Sequence, residues 1–382
     1  MRRHMLTLGC VWLPFALGCS SGADSSPGGE IGTSGHGGAA VVAGQRAVGG
    51  SGGRAGAGGG GGREGAGLGG GGMSGAGSAS GSGSGSASGS GSAKIGGCEA
   101  FPAADVWNRN VEQAAVSVEW TAHLHALVGA KMLHPDYGNS GSEHYGIPIN
   151  VVPATQPKLP VTFDDAEDES DPGPYPFPGP DTVRVEGGTA SACDGDCHVL
   201  AVQEGTCRLY EGYACRYASD GWHCSSGAVW DLTRVSEGQR TAGFTSADAA
   251  GLAIAPGLVR YLEAKSGEIK HAIRFTLHCT RANYVAPATH QAVPSSCRGN
   301  ADAPPMGLRV RLKANYDLSR LSGSALAVAH AMQRYGMILA DNGSDFYFQG
   351  EQDDRFAEED VEPLKTIPAD AFEALEPGTL LP

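Results

Sequence analysis

The segment from residue 20 to residue 97 has no phenylalanine, tryptophan or tyrosine, although it holds 33 of the 60 glycines in the 382-residue chain. Such a segment has too little apolar surface to offset the entropy lost on folding. Its Gly-Ser repeats are typical of a flexible coil, whose root-mean-square reach over this length is roughly 50 Å. A strict Gly-X-Y period, which a collagen-like assembly requires, is lacking. We therefore expect a tether over residues 19–97 and a single globular domain over residues 98–382.

An excess of positive charge is also lacking. Residues 98–382 carry 21 lysines and arginines against 38 aspartates and glutamates, so this part of the chain is strongly negative. A phosphate backbone would be repelled by such a surface. We therefore expect no nucleic-acid partner.

No apolar run near the N-terminus is long enough to cross a membrane. The run over residues 5–17 is interrupted by Pro14, and about 13 residues cannot span the roughly 30 Å of a bilayer core. The run follows Arg2 and Arg3, which is the order found in an export signal. The sequence therefore predicts that residues 1–18 are a signal peptide.

The sequence Ala16-Leu17-Gly18-Cys19 resembles the cleavage site of a bacterial lipoprotein. This resemblance implies cleavage before Cys19 and a lipid on its sulfur, so that the membrane is a partner through this anchor. Because Ser20, and not aspartate, follows the cysteine, we expect an outer-membrane lipoprotein that faces the periplasm or the cell surface. The alternative is an ordinary secretory signal cleaved nearby, and both imply export.

Eight cysteines remain beyond Cys10 and Cys19, and an even number in an exported protein indicates disulfides. Spacing alone leaves 105 pairings open. Two pairs would close short loops between predicted strands, and two more would follow by elimination; these are Cys215 with Cys224, Cys279 with Cys297, Cys193 with Cys197, and Cys98 with Cys207. The alternative for Cys193, Cys197 and His198 is a zinc site, although no second closely spaced cysteine pair accompanies it.

Residues 98–382 are richest in short strand patterns separated by glycine, proline, aspartate and asparagine. The predicted strands are 145–152, 159–163, 182–186, 198–203, 208–217, 228–232, 272–278, 284–286, 307–313, 337–340 and 346–349. Helical spacing is limited to a segment after Ser117, to residues 256–265 and to residues 322–335. This pattern predicts a mainly β fold, a β-sandwich or jelly-roll-like body with a few short peripheral helices.

Four segments resemble motifs of a group of secreted bacterial proteins. They are 101–108 (FPAADVWN), 168–175 (DESDPGPY), 287–290 (PATH) and 334–343 (RYGMILADNG). The resemblance covers most of residues 98–372. It implies export and one continuous domain, and it assigns no chemistry.

The globular part lacks the serine-hydrolase elbow, the paired-histidine zinc helix and the phosphate-binding loop, so candidate site residues are chosen by chemical type. Imidazoles and guanidiniums on or beside predicted strands suit an anionic or hydroxyl-rich ligand. The candidates are His271 and His290 as catalytic residues, and Arg274, Arg309 and Arg311 as ligand-binding residues. His271 and Arg274 are out of phase on one strand, so they face opposite sides unless a bulge intervenes.

Asp248 and Asp341 are the candidate catalytic carboxylates. Asp248 alternatively completes a helix start, and Asp341 alternatively shapes a turn with Asp345. We predict no cofactor, and calcium would bind, if anywhere, at residues 341–345 or 164–171, which are rich in oxygen ligands.

Aromatic side chains offer platforms on which sugar rings stack. We expect Trp222, Tyr210 and Tyr175, with Trp230, to be exposed and to bind carbohydrate. Two functions are left open: an enzyme that acts on extracellular polysaccharide as a hydrolase or lyase, and a surface module that binds such a polymer without chemistry. A structural surface protein is the third alternative.

Overall fold

The computed structural model describes residues 94–138 and 145–382, and these contain many short strands and few helices. The strands are β1 (Lys94–Ile95), β2 (Cys98–Glu99), β3 (His134–Asp136), β4 (Ile149–Val152), β5 (Val161–Phe163), β6 (Gly188–Thr189), β7 (Ala192–Cys193), β8 (Val199–Gln203), β9 (Arg208–Tyr213), β10 (Arg216–Ala218), β11 (Gly221–Cys224), β12 (Ser226–Asp231), β13 (Ile273–Leu277), β14 (Arg309–Leu312), β15 (Met337–Asn342), β16 (Tyr347–Gln349) and β17 (Phe372–Ala374). The α-helices are α1 (Val118–Val128), α2 (Tyr261–Ser266), α3 (Gly323–Arg334) and α4 (Glu358–Val361). The prediction of a mainly β body with a few short helices is confirmed.

Two larger sheets carry most of the described fold. The four-stranded sheet has the order β12-β9-β8-β4, and the six-stranded sheet has the order β17-β14-β15-β13-β16-β3. A three-stranded sheet, β10-β11-β5, and the hairpins β1-β2 and β6-β7 complete the set. Four strand pairs are parallel, among them β4 with β8 and β13 with β15.

Side chains from both larger sheets share one hydrophobic core. Leu200 and Trp230 of the four-stranded sheet belong to the same buried cluster as Phe275 and Met337 of the six-stranded sheet. A second, smaller core contains Tyr175, Phe177 and Trp222. The domain is therefore built of layered sheets around a shared interior.

The folded part begins inside the segment that we expected to be tether. Lys94 pairs with Glu99 and Ile95 pairs with Cys98, and the side chain of Ile95 is buried. Residues 94–97 thus form one arm and the turn of a hairpin. The signal peptide, Cys19 and the remaining tether residues lie outside the described part of the chain.

Helix α1 forms where the sequence predicted it. The Ser117 hydroxyl accepts a hydrogen bond from the Trp120 backbone N–H at 3.5 Å, which caps the first turn. Trp120, Leu124 and Val128 recur every four residues, and all three side chains are buried. None of the described helices is long and apolar enough to cross a membrane.

All four predicted disulfides are present. They join Cys98 to Cys207, Cys193 to Cys197, Cys215 to Cys224, and Cys279 to Cys297. Because Cys193 and Cys197 are bonded to each other, they are not available as zinc ligands. The disulfide pattern fits an oxidising compartment.

Candidate functional site

Two adjoining cavities lie beside the six-stranded sheet, and the first is also lined by Tyr213 and Ser226 of the four-stranded sheet. The first, which we call the His290 cavity, has a volume of about 450 Å³ and is lined by residues that include Asp165, Glu169, Asp196, Tyr213, His290 and Asp341. The second, the His198 cavity, has a volume of about 210 Å³ and is lined by residues that include Asp136, Glu186, His198, Arg274, Tyr347 and Gln349. Asp196, Asp341 and Asn342 line both cavities, so the two adjoin, and we refer to them together as the cleft.

A tight backbone turn places His290 at the cleft. Gly251 has a φ of +70°, and a Cβ at this position would lie 2.1 Å from the Thr289 Oγ1. The Thr289 and His290 backbone N–H groups both donate to the Ala250 carbonyl, at 2.9 and 3.2 Å. A glycine is therefore required here so that the loop carrying His290 can approach residues 244–251.

The imidazole of His290 has one nitrogen directed at the cleft. Its Nδ1 lies 2.8 Å from the Ala249 carbonyl oxygen, which only accepts, so Nδ1 carries the hydrogen. In the neutral ring this leaves Nε2 with a lone pair. The Nε2 lies 4.0 Å from the Glu169 carboxylate, which is itself held by the Thr245 backbone N–H at 2.9 Å. His290 is thus oriented as a general base.

Beneath the cleft, Arg274 joins two aspartates. Its Nε and Nη2 donate to the Asp248 carboxylate at 3.1 and 2.6 Å, and Nη2 lies 3.6 Å from an Asp341 oxygen. Arg274 and Asp248 are almost fully buried, whereas the Asp341 side chain is 19% exposed. Asp248 therefore cannot reach a ligand, and it acts on the cleft only through Arg274 and Asp341.

The surroundings of the Asp341 carboxyl favour its protonated form. Burial, followed by the charge of Asp248 and a hydrogen bond to Asp248, raises the pKa of Asp341 well above its usual value of 3.8, against the opposing effect of Arg274. A carboxyl whose pKa is raised and which lines an open cleft is suited to act as a general acid.

A second charged pair forms the inner wall of the cleft. The Nδ1 of His198 bonds to the Glu186 carboxylate, and its Nε2 lies 3.1 Å from the Ala247 carbonyl. Both partners only accept hydrogen bonds, so both ring nitrogens donate and the ring is an imidazolium. Burial opposes this charge, but the Glu186 carboxylate outweighs burial and raises the pKa of His198 to about 9.

Glu186, Asp196 and His198 are close enough together to suggest a metal site, since one ligand atom of each lies within 4.8 Å of the others. The two donated hydrogens leave His198 without a lone pair for a metal.

The two predicted calcium segments are residues 341–345 and 164–171. In the first segment, Asp341 faces Arg274 while Asp345 accepts a hydrogen bond from the His278 backbone N–H at 3.0 Å. In the second segment, Asp164 pairs with Arg216 and Asp171 pairs with Arg240, so the carboxylates of each segment have separate partners.

His271 does not line the cleft. It is fully buried, where Nδ1 lies 2.7 Å from the Ala272 carbonyl and Nε2 lies 3.3 Å from the Glu263 carboxylate of α2. Burial, with Arg260 nearby, lowers the pKa of His271. The structure therefore places His271, a predicted catalytic residue, outside the cleft: it lies just before β13 and faces Glu263 of α2, whereas Arg274 lines the His198 cavity.

Arg309 and Arg311 form hydrogen bonds to other parts of the protein and do not line the cleft. Arg309 Nη1 donates to the Val106 carbonyl at 2.9 Å, and Arg311 Nε donates to the Glu373 carboxylate at 3.0 Å. Burial lowers the pKa of Arg309 to about 9. The face of β14 that carries Arg309 and Arg311 is covered by residues 106–112. The prediction that these two arginines bind a ligand is therefore corrected.

Trp222, Tyr210 and Tyr175 are also buried, as is Trp230. Trp222, Tyr210 and Trp230 lie on strands that are covered on both faces, and Tyr175 packs against Phe163, Phe177 and Tyr210, so none of the four can serve as a sugar platform. The aromatic rings that do line the cleft are Tyr213, which is 36% exposed, and Tyr347. Tyr347 is stacked on His134, with ring centroids 3.9 Å apart.

The sequence analysis did not choose His198 and Glu169, which line the cleft, or Glu211, which is fully buried, as site residues. His198 was considered only as a zinc ligand, and Glu169 only as part of an acidic loop. Glu211 lies within an apolar strand and accepts hydrogen bonds from the Ile254 and Ala255 backbone N–H groups at 3.0 and 2.9 Å. Burial raises the pKa of Glu211 to about 7. A charged residue inside an apolar strand pattern is the signal that marks Glu211, and His198 and Glu169 carry no such signal.

Comparisons of the chain with protein-family models, with curated proteins and with solved structures found no match.

Proposed function

We propose that this protein is an exported, lipid-anchored hydrolase of extracellular polysaccharide. The observation that carries the proposal is the position of Asp341, a carboxyl that lines both cavities and whose pKa is raised by burial. In a polymer that fills both cavities, the glycosidic bond between two units lies next to the Asp341 carboxyl. His290, with a neutral nitrogen directed at the same cleft, supplies a base.

In the proposed reaction, Asp341 gives its proton to the glycosidic oxygen as the bond to the anomeric carbon breaks. A water molecule attacks that carbon, and His290 Nε2 takes the proton from the water. Atoms balance with one water consumed and two sugar ends released. Asp248 and Arg274 position Asp341 without touching the substrate.

The arrangement favours a hydrolase over a lyase. A lyase that acts on uronates needs a cation to neutralise the sugar carboxylate. The described lining of the His290 cavity contains no lysine or arginine, and the Arg274 guanidinium of the His198 cavity is already bonded to Asp248. Carboxylates line both cavities instead, and they repel an anionic polymer.

The test is incubation of the full-length protein with a panel of neutral, amino and uronic polysaccharides. Hydrolysis appears as new reducing ends, and lyase action appears as ultraviolet absorbance of unsaturated products. We expect reducing ends without this absorbance, and their loss in Asp341→Asn and in His290→Gln. Asp345→Asn is the matched control, since this carboxylate faces His278 outside the cleft.

The second candidate function is a polysaccharide-binding module, which the exposed Tyr213 ring at the cleft favours. Retention of the protein on one polymer without new reducing ends would establish binding and refute hydrolysis. Membrane anchoring is tested separately, by incorporation of labelled fatty acid, which Cys19→Ser should abolish.

A further inference from the structure

The His198 cavity has an excess of hydrogen-bond acceptors. The carboxyl groups of Asp136, Glu186, Asp196 and Asp341 line it, together with the amide of Gln349. Gln349 is only 6% exposed; its side chain bonds to Asp136, and its Oε1 is buried without a partner. A buried acceptor without a donor is unfavourable, so this amide points to a ligand that donates hydrogen bonds.

The cations that line this cavity are already committed. His198 gives both of its N–H groups to Glu186 and Ala247, and Arg274 gives Nε and Nη2 to Asp248. Asp196, by contrast, is exposed, and its carboxylate lies within 4.8 Å of Glu186 and of the His198 ring, which gives both of its N–H groups to other acceptors. The charge of Asp196 is therefore available to a ligand.

The size of the cavity limits what it holds. A volume of about 210 Å³ is below the range of about 300 to 1,000 Å³ that is usual for larger organic ligands, and it suits a single sugar ring. Because Asp341 and Asn342 connect this cavity to the His290 cavity, a sugar placed here is joined to the rest of a polymer across the cleft.

We propose that the His198 cavity binds a sugar unit that carries a protonated amino group, with Asp196 and the Gln349 Oε1 as its acceptors. This inference rests on the proposed function, and it makes an amino-sugar polymer the substrate. An ammonium group supplies hydrogen-bond donors and a positive charge for the exposed Asp196 carboxylate, and it supplies the hydrogen that Gln349 lacks. A neutral hydroxyl supplies only the hydrogen, and an N-acetyl group removes the charge.

The test compares D-glucosamine, N-acetylglucosamine and glucose as ligands of the full-length protein, by calorimetric titration at pH 6, where the amine is protonated. We expect glucosamine to bind at least tenfold more tightly than the other two sugars. Asp196→Asn should remove this preference, and Gln349→Met should weaken it. Asp194→Asn is the matched control, because this exposed carboxylate lies two residues away and outside both cavities.

Equal binding of the three sugars would overturn the inference. So would a calcium or manganese ion that binds at Asp196 and displaces glucosamine. If neutral polysaccharides are hydrolysed and glucosamine does not bind, the inference fails while the proposed function stands. If glucosamine binds and no polymer is hydrolysed, the amine site stands and the proposed hydrolase fails.

Discussion

Arg274 and Asp248 form a two-hydrogen-bond ion pair that is almost fully buried, with N–O distances of 2.6 and 3.1 Å. Removal of one partner leaves the other charge buried and uncompensated, which costs about 3 to 5 kcal/mol. We predict that Arg274→Gln lowers the free energy of unfolding by this amount in urea titrations. The double variant Arg274→Gln/Asp248→Asn should lose less, because neither charge remains. Strictly additive losses would contradict this account.

Asp341 should make activity depend on pH in one direction. A general acid works only while it holds its proton, so activity should be present at low pH and fall as pH rises through the elevated pKa of Asp341. We predict that Asp341→Asn lowers kcat about a hundred- to ten-thousand-fold and flattens this limb of the profile. A variant that keeps the wild-type alkaline limb would show that another group donates the proton.

The ion pair of His198 and Glu186 should make stability depend on pH. The pKa of His198 is raised from its ordinary value of 6.5 to about 9. The stabilisation is therefore fully present below pH 6.5 and is lost as pH rises through about 9, at a cost of about 3 kcal/mol. We predict that His198→Gln removes this loss from the free energy of unfolding measured at several pH values. His330→Gln, on α3, is the control and should retain it.

The disulfides should differ in their contribution to stability because they close loops of different length. Cys98 and Cys207 are 109 residues apart, whereas Cys193 and Cys197 are four apart. Loop entropy assigns about 5 kcal/mol to the first and about 2 kcal/mol to the second. We predict that paired serine replacements lower the free energy of unfolding in this order. The reverse order would show that native contacts, and not loop length, dominate.

Trp222 and Tyr213 should respond in opposite ways to replacement. Trp222 is fully buried in the smaller core, so Trp222→Ala should cost about 3 to 5 kcal/mol and leave the affinity of the folded protein for polysaccharide unchanged. Tyr213 lines the cleft and is partly exposed, so Tyr213→Ala should weaken polymer binding and change stability little. Affinity electrophoresis and thermal unfolding together separate the two effects.

The general fold and the short-loop disulfides were predictable because they depend on local patterns, whereas Cys98–Cys207 followed only by elimination. Strand β14 alternates apolar and charged residues, and α1 has a capping serine and apolar residues at helical spacing. The Cys215 and Cys224 pair closes a short loop, and that spacing is visible in the sequence. Short paired segments such as β3 and β17 were missed, since a three-residue strand has too few positions to show a period.

The site was only partly predictable. His290 and Asp341 were chosen by residue type and meet at one cleft. The aromatic candidates failed because burial depends on which sheets cover each strand face, and that is a property of the tertiary structure. Arg309 was misassigned for the same reason, since the carbonyl that it binds belongs to Val106, more than 200 residues earlier in the chain.

Cys98, which forms a disulfide with Cys207, is the first residue of β2 and lies four residues after the start of the described fold. Cys207 immediately precedes β9, a central strand of the four-stranded sheet. A mechanical load applied through the N-terminal chain therefore opens at most the small hairpin before a covalent bond carries it into the middle of a sheet. The domain therefore receives the load at an interior strand, and it resists unfolding from its N-terminal end.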